Sequence, residues 1–399
     1  MKTICVLGLG YIGLPTASIL ATKGFSVIGV DTKQQVIDTI KKGNIHIVEP
    51  DLDILVKSAV HSGNLTTSLK PQEADVFIIA VPTPFKEDRK PDLTYVAAAV
   101  ESIIPVLKKE NLVILESTSP VGTTESAVAS LIAEHKQWKA GEDFFVAHCP
   151  ERVLPGRILK ELVDNDRIIG GINRASAEAA RDLYSSFVSG NIFLTDCTTA
   201  ELVKLVENAY RDVNIAFANE LSLICDHLGL RVWEVIELAN KHPRVNILRP
   251  GPGVGGHCIA VDPWFIVDAA PEQSRLIRTA RVVNDSKPHF VVEKVKKQAR
   301  KFKAPVIGCL GLSYKNDVDD LRESPALEIT RNLIKENIGT VLACEPFGKT
   351  FDEFPLHPLE KVLKDSDIIV LLVNHKQFYD VDRELLKEKI VIDTLGVWR

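Results

Sequence analysis

One cysteine in this chain stands where a nucleophile would be presented. Cys258 ends the run Pro252-Gly253-Val254-Gly255-Gly256-His257-Cys258, and glycines crowded before a thiol suggest a backbone pressed close to a ligand. A lone cysteine is more often a small buried hydrophobe. That description suits Cys5, Cys225 and Cys309, which sit in apolar strand or helix patterns, and it does not suit Cys258. Upstream, Lys204, Asn208 and Arg211 fall at i, i+4 and i+7 of a helical stretch. An ammonium, an amide and a guanidinium therefore share one face. A solvated polar stripe has the same spacing, but the flanking Leu202, Val203, Leu205 and Val206 require much of this helix to be buried.

A second constellation opens the chain. Gly8-Leu9-Gly10-Tyr11-Ile12-Gly13 follows a short apolar strand and leads into a helix. Glycines in this pattern allow a tight turn and close backbone approach to a pyrophosphate, which then rests on the helix N-terminus. Asp31 ends the second strand, where a carboxylate meets the adenosine ribose hydroxyls; an acid there favours NAD and repels the 2′-phosphate of NADP. Ala80-Val81-Pro82-Thr83-Pro84 and Glu116-Ser117-Thr118-Ser119-Pro120-Val121-Gly122 put the Thr83 and Thr118 hydroxyls at strand carboxyl ends. A nicotinamide or a catalytic water lies there in such sheets, and the same threonines can cap the next helix.

The elements that must position these groups follow from periodicity. Apolar runs at 2–7, 26–30, 76–80, 113–116 and 144–147 alternate with helical stretches, which predicts a doubly wound α/β domain over 1–195. From 196 to 300 the pattern is helical, with close to thirty residues of one helix before Gly229, interrupted by the loop RPGPGVGGHC. Strand–helix alternation restarts over 301–399 with PVIGCLGL, TVLACEP, DIIVLLV and KIVIDTLG. The fold class expected is thus two Rossmann-like α/β domains around a helical connector.

Composition narrows the partners. The 399 residues carry a formal net charge of −5, so no basic field invites nucleic acid. The seven cysteines are odd in number and scattered, without a C-x-x-C, which argues for reduced thiols and against a zinc site. No metal is expected. MKTICVLGLGYIG enters a strand pattern at once rather than a signal peptide, and no run of about 18 apolar residues occurs, so a cytoplasmic enzyme is expected.

Taken in order, GLGYIG, VPTP, ESTSPVGT, CPERVLPG, KLVENAYRDVNIAFANE, HPRVNILRPGPGVGGHC and DDLRESPA resemble the UDP-glucose/GDP-mannose 6-dehydrogenase family over essentially the whole chain. IHIVEPDL, HCIAVDPWF and the terminal GVWR point to its branch acting on UDP-N-acetylmannosamine. The resemblance implies a four-electron oxidation with two NAD, in which Cys258 captures an aldehyde as a thiohemiacetal and passes through a thioester. It implies Lys204 as acid/base and oxyanion-stabilising cation, Asn208 and Thr118 on the oxyanion and catalytic water, Asp262 in support and Glu151 assisting proton transfer. Gly8, Gly10, Tyr11, Ile12, Gly13, Asp31, Thr83, Thr118 and Arg322 match cofactor positions. Arg152, Val153, Lys204, Asn208, Arg211, His242, Arg244, Gly255, Tyr314 and Lys315 match substrate positions. His242 and Arg244 come from the neighbouring subunit in relatives, which implies a homodimer through the helical part.

Two departures bear on the sugar. UDP-glucose dehydrogenases carry a lysine where this chain has Val261, which argues against UDP-glucose. The mannosamine branch reads DTKGVWR at its end, where this chain has Leu395 in place of the lysine. The alternatives are UDP-N-acetylglucosamine 6-dehydrogenase, UDP-glucose 6-dehydrogenase and, from another class, a non-catalytic nucleotide-sugar sensor. The sensor would have no need of Cys258 or Lys204, and a two-electron hydroxyacid dehydrogenase would need neither the cysteine loop nor a second α/β domain.

Overall fold

The computed structural model describes residues 2–86, 89–154, 156–256, 258–348 and 351–398. His257 of the cysteine loop, Pro155 of the CPER string and the terminal Arg399 lie outside the described residues. The chain gathers into two compact units, 1–207 and 208–399.

The first unit begins with β1 (Thr3–Leu7), α1 (Gly13–Thr22), β2 (Ser26–Val30), α2 (Gln34–Lys41), α3 (Leu52–His61) and β3 (Leu65–Ser68). It continues with β4 (Val76–Ile79), α4 (Thr94–Ile103), β5 (Leu112–Leu115), α5 (Ser130–Lys136) and β6 (Phe145–His148). α6 (Ile158–Asp164), β7 (Arg167–Gly171), α7 (Arg174–Tyr184) and β8 (Ile192–Asp196) follow. The strands form one sheet in the order β3-β2-β1-β4-β5-β6-β7-β8. Its strand order reverses between β1 and β4, the switch point at which such sheets bind ligands. Neighbours are parallel except β6 and β7, which run antiparallel through Ala147–Gly171 and His148–Gly170. β3, β7 and β8 go beyond the strands expected from sequence, because the hydroxyl, glycine and acidic residues in LTTS, RIIGG and IFLTD break up any apolar run.

Strand alternation builds two core layers. Ile4 and Val6 of β1 join one buried cluster with α1, α3 and α6, while Cys5 and Leu7 join the other with α4 and α5. A strand buried on both faces reads as a continuous apolar run, which is why TICVL was legible as a strand.

Beneath the carboxyl ends of β5 and β6 the layer turns polar. Glu116 is buried, and its Oε1 accepts a hydrogen bond from the Tyr184 hydroxyl at 2.5 Å. Arg167 of β7 places Nη2 2.9 Å from Glu151 and lays its guanidinium over the Tyr184 ring at 4.7 Å. Burial pushes the Glu116 carboxyl up to about 7, despite the nearby Arg167 cation.

The boundary between the two units falls inside α8 (Cys197–Leu228), a single helix of 32 residues. The second unit then has α9 (Val232–Ala239), α10 (Asp262–Ala269), α11 (Arg275–Ala299), β9 (Val306–Leu310) and α12 (Pro325–Lys335). β10 (Thr340–Cys344), α13 (Leu359–Asp365), β11 (Ile368–Leu371) and β12 (Ile390–Asp393) complete a parallel sheet in the order β10-β9-β11-β12. The architecture is therefore two Rossmann-like α/β parts and a helical middle.

A buried polar spine ties α8 to α11. Arg281 and Asp212, 2% and 0% exposed, are paired at 2.6 Å, and Asn284 donates to Asp212 at 2.8 Å. Asn219 donates to Asn284 at 2.8 Å and accepts the Gly251 N–H at 2.8 Å. The head of the cysteine loop is thus bonded to the helical core. Deleting one partner of such a pair strands a buried charge, a cost of about 3–5 kcal/mol.

Glu116 gives the first unit a pH signature. Its folded carboxyl titrates near 7 against 4.5 for the ordinary group, so the fold favours the protonated form. Its contribution is complete below about pH 4.5 and is lost as pH rises through 7. Glu116→Gln removes that loss, so its stability relative to wild type should rise by about 2 kcal/mol between pH 5 and pH 8 in urea denaturation. An equal gap at both pH values would count against a buried, proton-holding Glu116.

Candidate active site

The 8–13 turn is shaped by the chain's own packing at two glycines and left open at the third. Gly8 has φ +89°, and a Cβ there would lie 2.6 Å from the Ala80 carbonyl oxygen. A Cβ on Gly13 would lie 1.8 Å from the Gly8 carbonyl oxygen. Nothing lies within 4 Å of a Cβ built on Gly10. A ligand backbone can approach Gly10, and α1 begins beside it without a side-chain cap, so an anion can approach the positive end of its dipole. The Asp31 carboxylate accepts the Leu9 N–H at 3.1 Å and the Lys33 N–H at 2.9 Å. Tyr11 is exposed and Ile12 half-buried at the rim. These residues fit a dinucleotide: space at Gly10, a helix end and a carboxylate at the ribose position.

The segments after β4 and β5 are laced together. The Thr83 hydroxyl donates to the Thr118 carbonyl, and the Ser117 hydroxyl donates to the Val81 carbonyl at 2.7 Å. Thr83 is buried and its hydroxyl holds this junction, whereas Thr118 is half-exposed. Glu201, fully buried on α8, accepts N–H groups from Gly122 at 2.5 Å and Thr124 at 2.7 Å. Lys204 lies about one helical turn further along, half-buried.

The CPER segment is held from several sides. Glu151 spends Oε2 on Arg167 and Oε1 on the Arg152 N–H at 2.8 Å. These two bonds fix the orientation of the Glu151 carboxylate within the segment. The Arg152 guanidinium pairs with Glu207 at 2.7 Å, and Val153 packs against the core. Glu49, from the IHIVEPDL string, accepts the Gly156 N–H at 2.8 Å and the Ile158 N–H at 2.7 Å.

In the second unit Cys258 stands in a turn entering α10, its carbonyl accepting the Val261 and Asp262 N–H groups at 3.0 and 2.8 Å. Its thiol-bearing residue is exposed, and the other six cysteines are buried. Burial pushes Cys5 and Cys149 up to about 11 and Cys197, Cys309 and Cys344 up to about 12, so these thiols stay protonated. Asn208 donates its amide to Asp262 at 2.6 Å, which fixes the direction the amide faces.

The glycines before Cys258 need a different explanation from the one sequence offered. A Cβ on Gly255 would lie 2.3 Å from the Glu323 carbonyl oxygen, and one on Gly256 would lie 2.8 Å from the Tyr314 ring. Gly253 faces Pro325 in the same way, at 2.7 Å. Protein surface by itself already demands glycine there. Tyr314 thereby buttresses the loop, with Lys315 half-buried beside it. Arg322 is exposed with its guanidinium forked on Asp320 at 2.6 and 3.0 Å. Arg211, His242 and Arg244 are exposed on the helical part, and Leu395 lies 3.7 Å from a Cβ built on Gly251.

Sequence reasoning missed the carboxylates that hold these loops. Glu201 is an acid inside an apolar helix and Glu49 sat in a quoted string without a role, while Glu345 follows a strand as Asp31 does. Burial raises the Glu345 carboxyl, but bonds from His375, Leu312 and Phe347 outweigh it and hold its pKa below the usual value.

Three consecutive segments match the UDP-glucose/GDP-mannose dehydrogenase family: its NAD binding domain over residues 2–188, its central domain over 198–286 and its UDP binding domain over 308–399. The chain belongs to this family. The Gly8–Gly13 turn lies in its NAD binding domain, Lys204 and Cys258 in its central domain, and Tyr314, Lys315 and Arg322 in its UDP binding domain. The chain is thus an NAD-dependent dehydrogenase of nucleotide sugars. It is 58% identical to an NDP-N-acetyl-D-galactosaminuronic acid dehydrogenase of Ralstonia solanacearum, over 100% of this chain and 96% of that protein. It is 54% identical to a UDP-N-acetyl-D-mannosamine dehydrogenase of Campylobacter jejuni, over 96% and 97%. The solved UDP-D-ManNAc dehydrogenase of Pyrococcus horikoshii superimposes with a TM-score of 0.91 at 43% identity, covering 100% of this chain and 96% of that one. Among the described residues no helix is long and apolar enough to cross a membrane, and no group of three His, Cys, Asp or Glu is placed to hold a metal ion.

The glycine geometry separates folding from cofactor binding. Gly10 lacks a positive φ and has open space, so Gly10→Ala should keep its melting temperature within about 2 °C while NAD affinity falls about tenfold or more. Gly13→Ala should instead lose the fold of the turn, with a large drop in melting temperature. Calorimetric titration with NAD beside thermal unfolding checks both, and unchanged NAD affinity in Gly10→Ala would remove the turn from the cofactor site.

Proposed function

We propose that this dehydrogenase oxidises the C6 alcohol of UDP-N-acetyl-D-mannosamine to the carboxylate through a thioester on Cys258. The observation that carries the proposal is the exposed Cys258 beside a helix start, against six thiols sealed in the core. The relatives named as UDP-N-acetyl-D-mannosamine dehydrogenases, at 52–54% identity, supply the sugar.

The Gly8–Gly13 turn and Asp31 would hold NAD, which would supply the hydride acceptor for each of two oxidations. In the first, C6 loses a hydride and its hydroxyl loses a proton, leaving the aldehyde. The Cys258 thiolate adds to the aldehyde carbon; the S–C bond forms, and the oxygen takes a proton to give a thiohemiacetal. That carbon then loses a second hydride and the hydroxyl proton, leaving a thioester. Water adds, the C–S bond breaks, and the thiol and carboxylate separate.

Lys204 supplies the cation that favours the thiolate and the developing oxyanion. Asn208, oriented by Asp262, donates to the same oxygen, and Thr118 holds the attacking water. Glu151, held in one orientation by Arg167, assists the proton transfers. Arg152, Val153, Arg211, Gly255, Tyr314 and Lys315 surround the nucleotide sugar, with guanidinium groups suited to a diphosphate. Arg322 and Thr83 border the cofactor.

A second copy completes the site in this reading. Tyr210, Phe217, Ile224 and Leu228 line one face of α8 and are exposed, Tyr210 by 71%. Such an apolar stripe on a long helix suits a homodimer through the helical part, with exposed His242 and Arg244 donated to the neighbour. The domain division 1–195, 196–300 and 301–399 and a cytoplasmic location belong to the same proposal.

A second reading has its own observation. The 58% identity to an NDP-N-acetyl-D-galactosaminuronic acid dehydrogenase favours a sugar of the galactosamine type. NADH formed per sugar consumed, with the UDP-linked N-acetyl forms of mannosamine, galactosamine and glucosamine and with UDP-glucose, separates these. Two NADH per N-acetylmannosamine substrate, abolished by Cys258→Ser, is the expected result. One NADH, or undiminished acid formation by Cys258→Ser, would overturn the thioester route; preference for the galactosamine sugar would move only the substrate.

A further inference from the structure

The loop after β9 carries Tyr314 and Lys315, and two side chains from other strands hold it in shape. Glu345, buried just past β10, accepts the Leu312 N–H at 2.6 Å and the Ser313 N–H at 3.0 Å. His375, fully buried past β11, takes the far end: its Nδ1 accepts the Asp317 N–H at 2.9 Å. A backbone N–H can only donate, so the proton of this imidazole is on Nε2. Nε2 lies 3.3 Å from Glu345 Oε2 and 3.4 Å from the Ser313 hydroxyl, which itself donates to the Lys315 carbonyl at 2.7 Å.

The ring is seated between Phe347 and Phe378, with centroids 5.1 and 5.5 Å away. Asp317 returns a second bond, accepting the Lys376 N–H at 3.0 Å, and its φ of 58° shows a backbone held in the left-handed region. Residues 312–317 are therefore fastened at both ends, with Tyr314 and Lys315 between the fastenings.

We propose that His375 is a positioning residue for the nucleotide sugar, holding the 312–317 loop through one tautomer shared between Asp317 and Glu345. It touches the loop rather than the reacting atoms, so its effect falls on binding of the nucleotide. The inference rests on the reading that this loop contacts the nucleotide sugar.

Two substitutions separate hydrogen bonding from filling. His375→Leu keeps an apolar side chain of similar bulk and loses both bonds. His375→Asn can set its Oδ1 where Nδ1 now accepts the Asp317 N–H. His375→Leu should raise the KM for the nucleotide sugar and the Kd for UDP about tenfold, with the KM for NAD unchanged within about twofold. His375→Asn should recover both to within about threefold of wild type. If the leucine variant does not fold, Asp317→Gly removes the second fastening without straining the backbone, and should raise the same two constants about threefold. Unchanged sugar KM and UDP Kd in His375→Leu, or in Asp317→Gly where that variant stands in, would overturn the proposal, as would His375→Asn as impaired as leucine. Failure of wild type to bind UDP would instead overturn the functional reading beneath it.

Discussion

Loops at strand ends carry the chemistry of an α/β fold, yet their backbone N–H groups have no ladder to donate to. In this chain side-chain carboxylates take those donors. Asp31 holds Leu9 in the dinucleotide turn, Glu201 holds Gly122 and Thr124 after β5, and Glu49 holds Gly156 and Ile158 after the CPER string. Glu345 holds Leu312 and Ser313, and Asp393 holds Leu395, Gly396 and Trp398 at the end of the chain. A hydrogen bond to a charged group contributes about 1.5–3 kcal/mol, against about 1 for a neutral one. Two or three to one carboxylate are enough to select a single loop conformation from many.

The same device is used twice at one topological place, to different ends. Gly8, at φ +89°, donates to Val30, and the next N–H goes to Asp31; Gly311, at φ +87°, donates to Cys344, and the next N–H goes to Glu345. Asp31 stays half-exposed at the rim, where a ribose can reach it. Glu345 is sealed under His375 and Phe347, so only the residues its loop displays can meet a ligand. Both carboxylates bond their own backbone, but only Asp31 keeps a surface that solvent reaches.

Much of this was legible in sequence because it is local. Apolar runs ended by glycine or proline turns marked β1, β2, β4 and β9, and the periodicity from 198 onward marked α8 almost to its ends. The spacing of Lys204, Asn208 and Arg211 needed only helical geometry. What sequence could not give were contacts between distant segments. Glu49 meets a loop more than a hundred residues on, and Gly255 is crowded by Glu323 and Tyr314. A glycine states that space is short without stating what fills it. Likewise Glu151 was legible as a carboxylate near the site, but its ion pair with Arg167, on a strand the sequence did not announce, was not.

The burial of the cysteines has a consequence for chemical labelling. An alkylating reagent or peroxide reacts with thiolate at a reachable sulfur, and six of the seven cysteines here offer neither exposure nor, where burial lifts them to about 11 or 12, ionisation. The folded chain therefore presents such reagents with Cys258 first. The stoichiometry of fast labelling becomes a count of intact sites, and the slow labelling that follows reports how often the core opens.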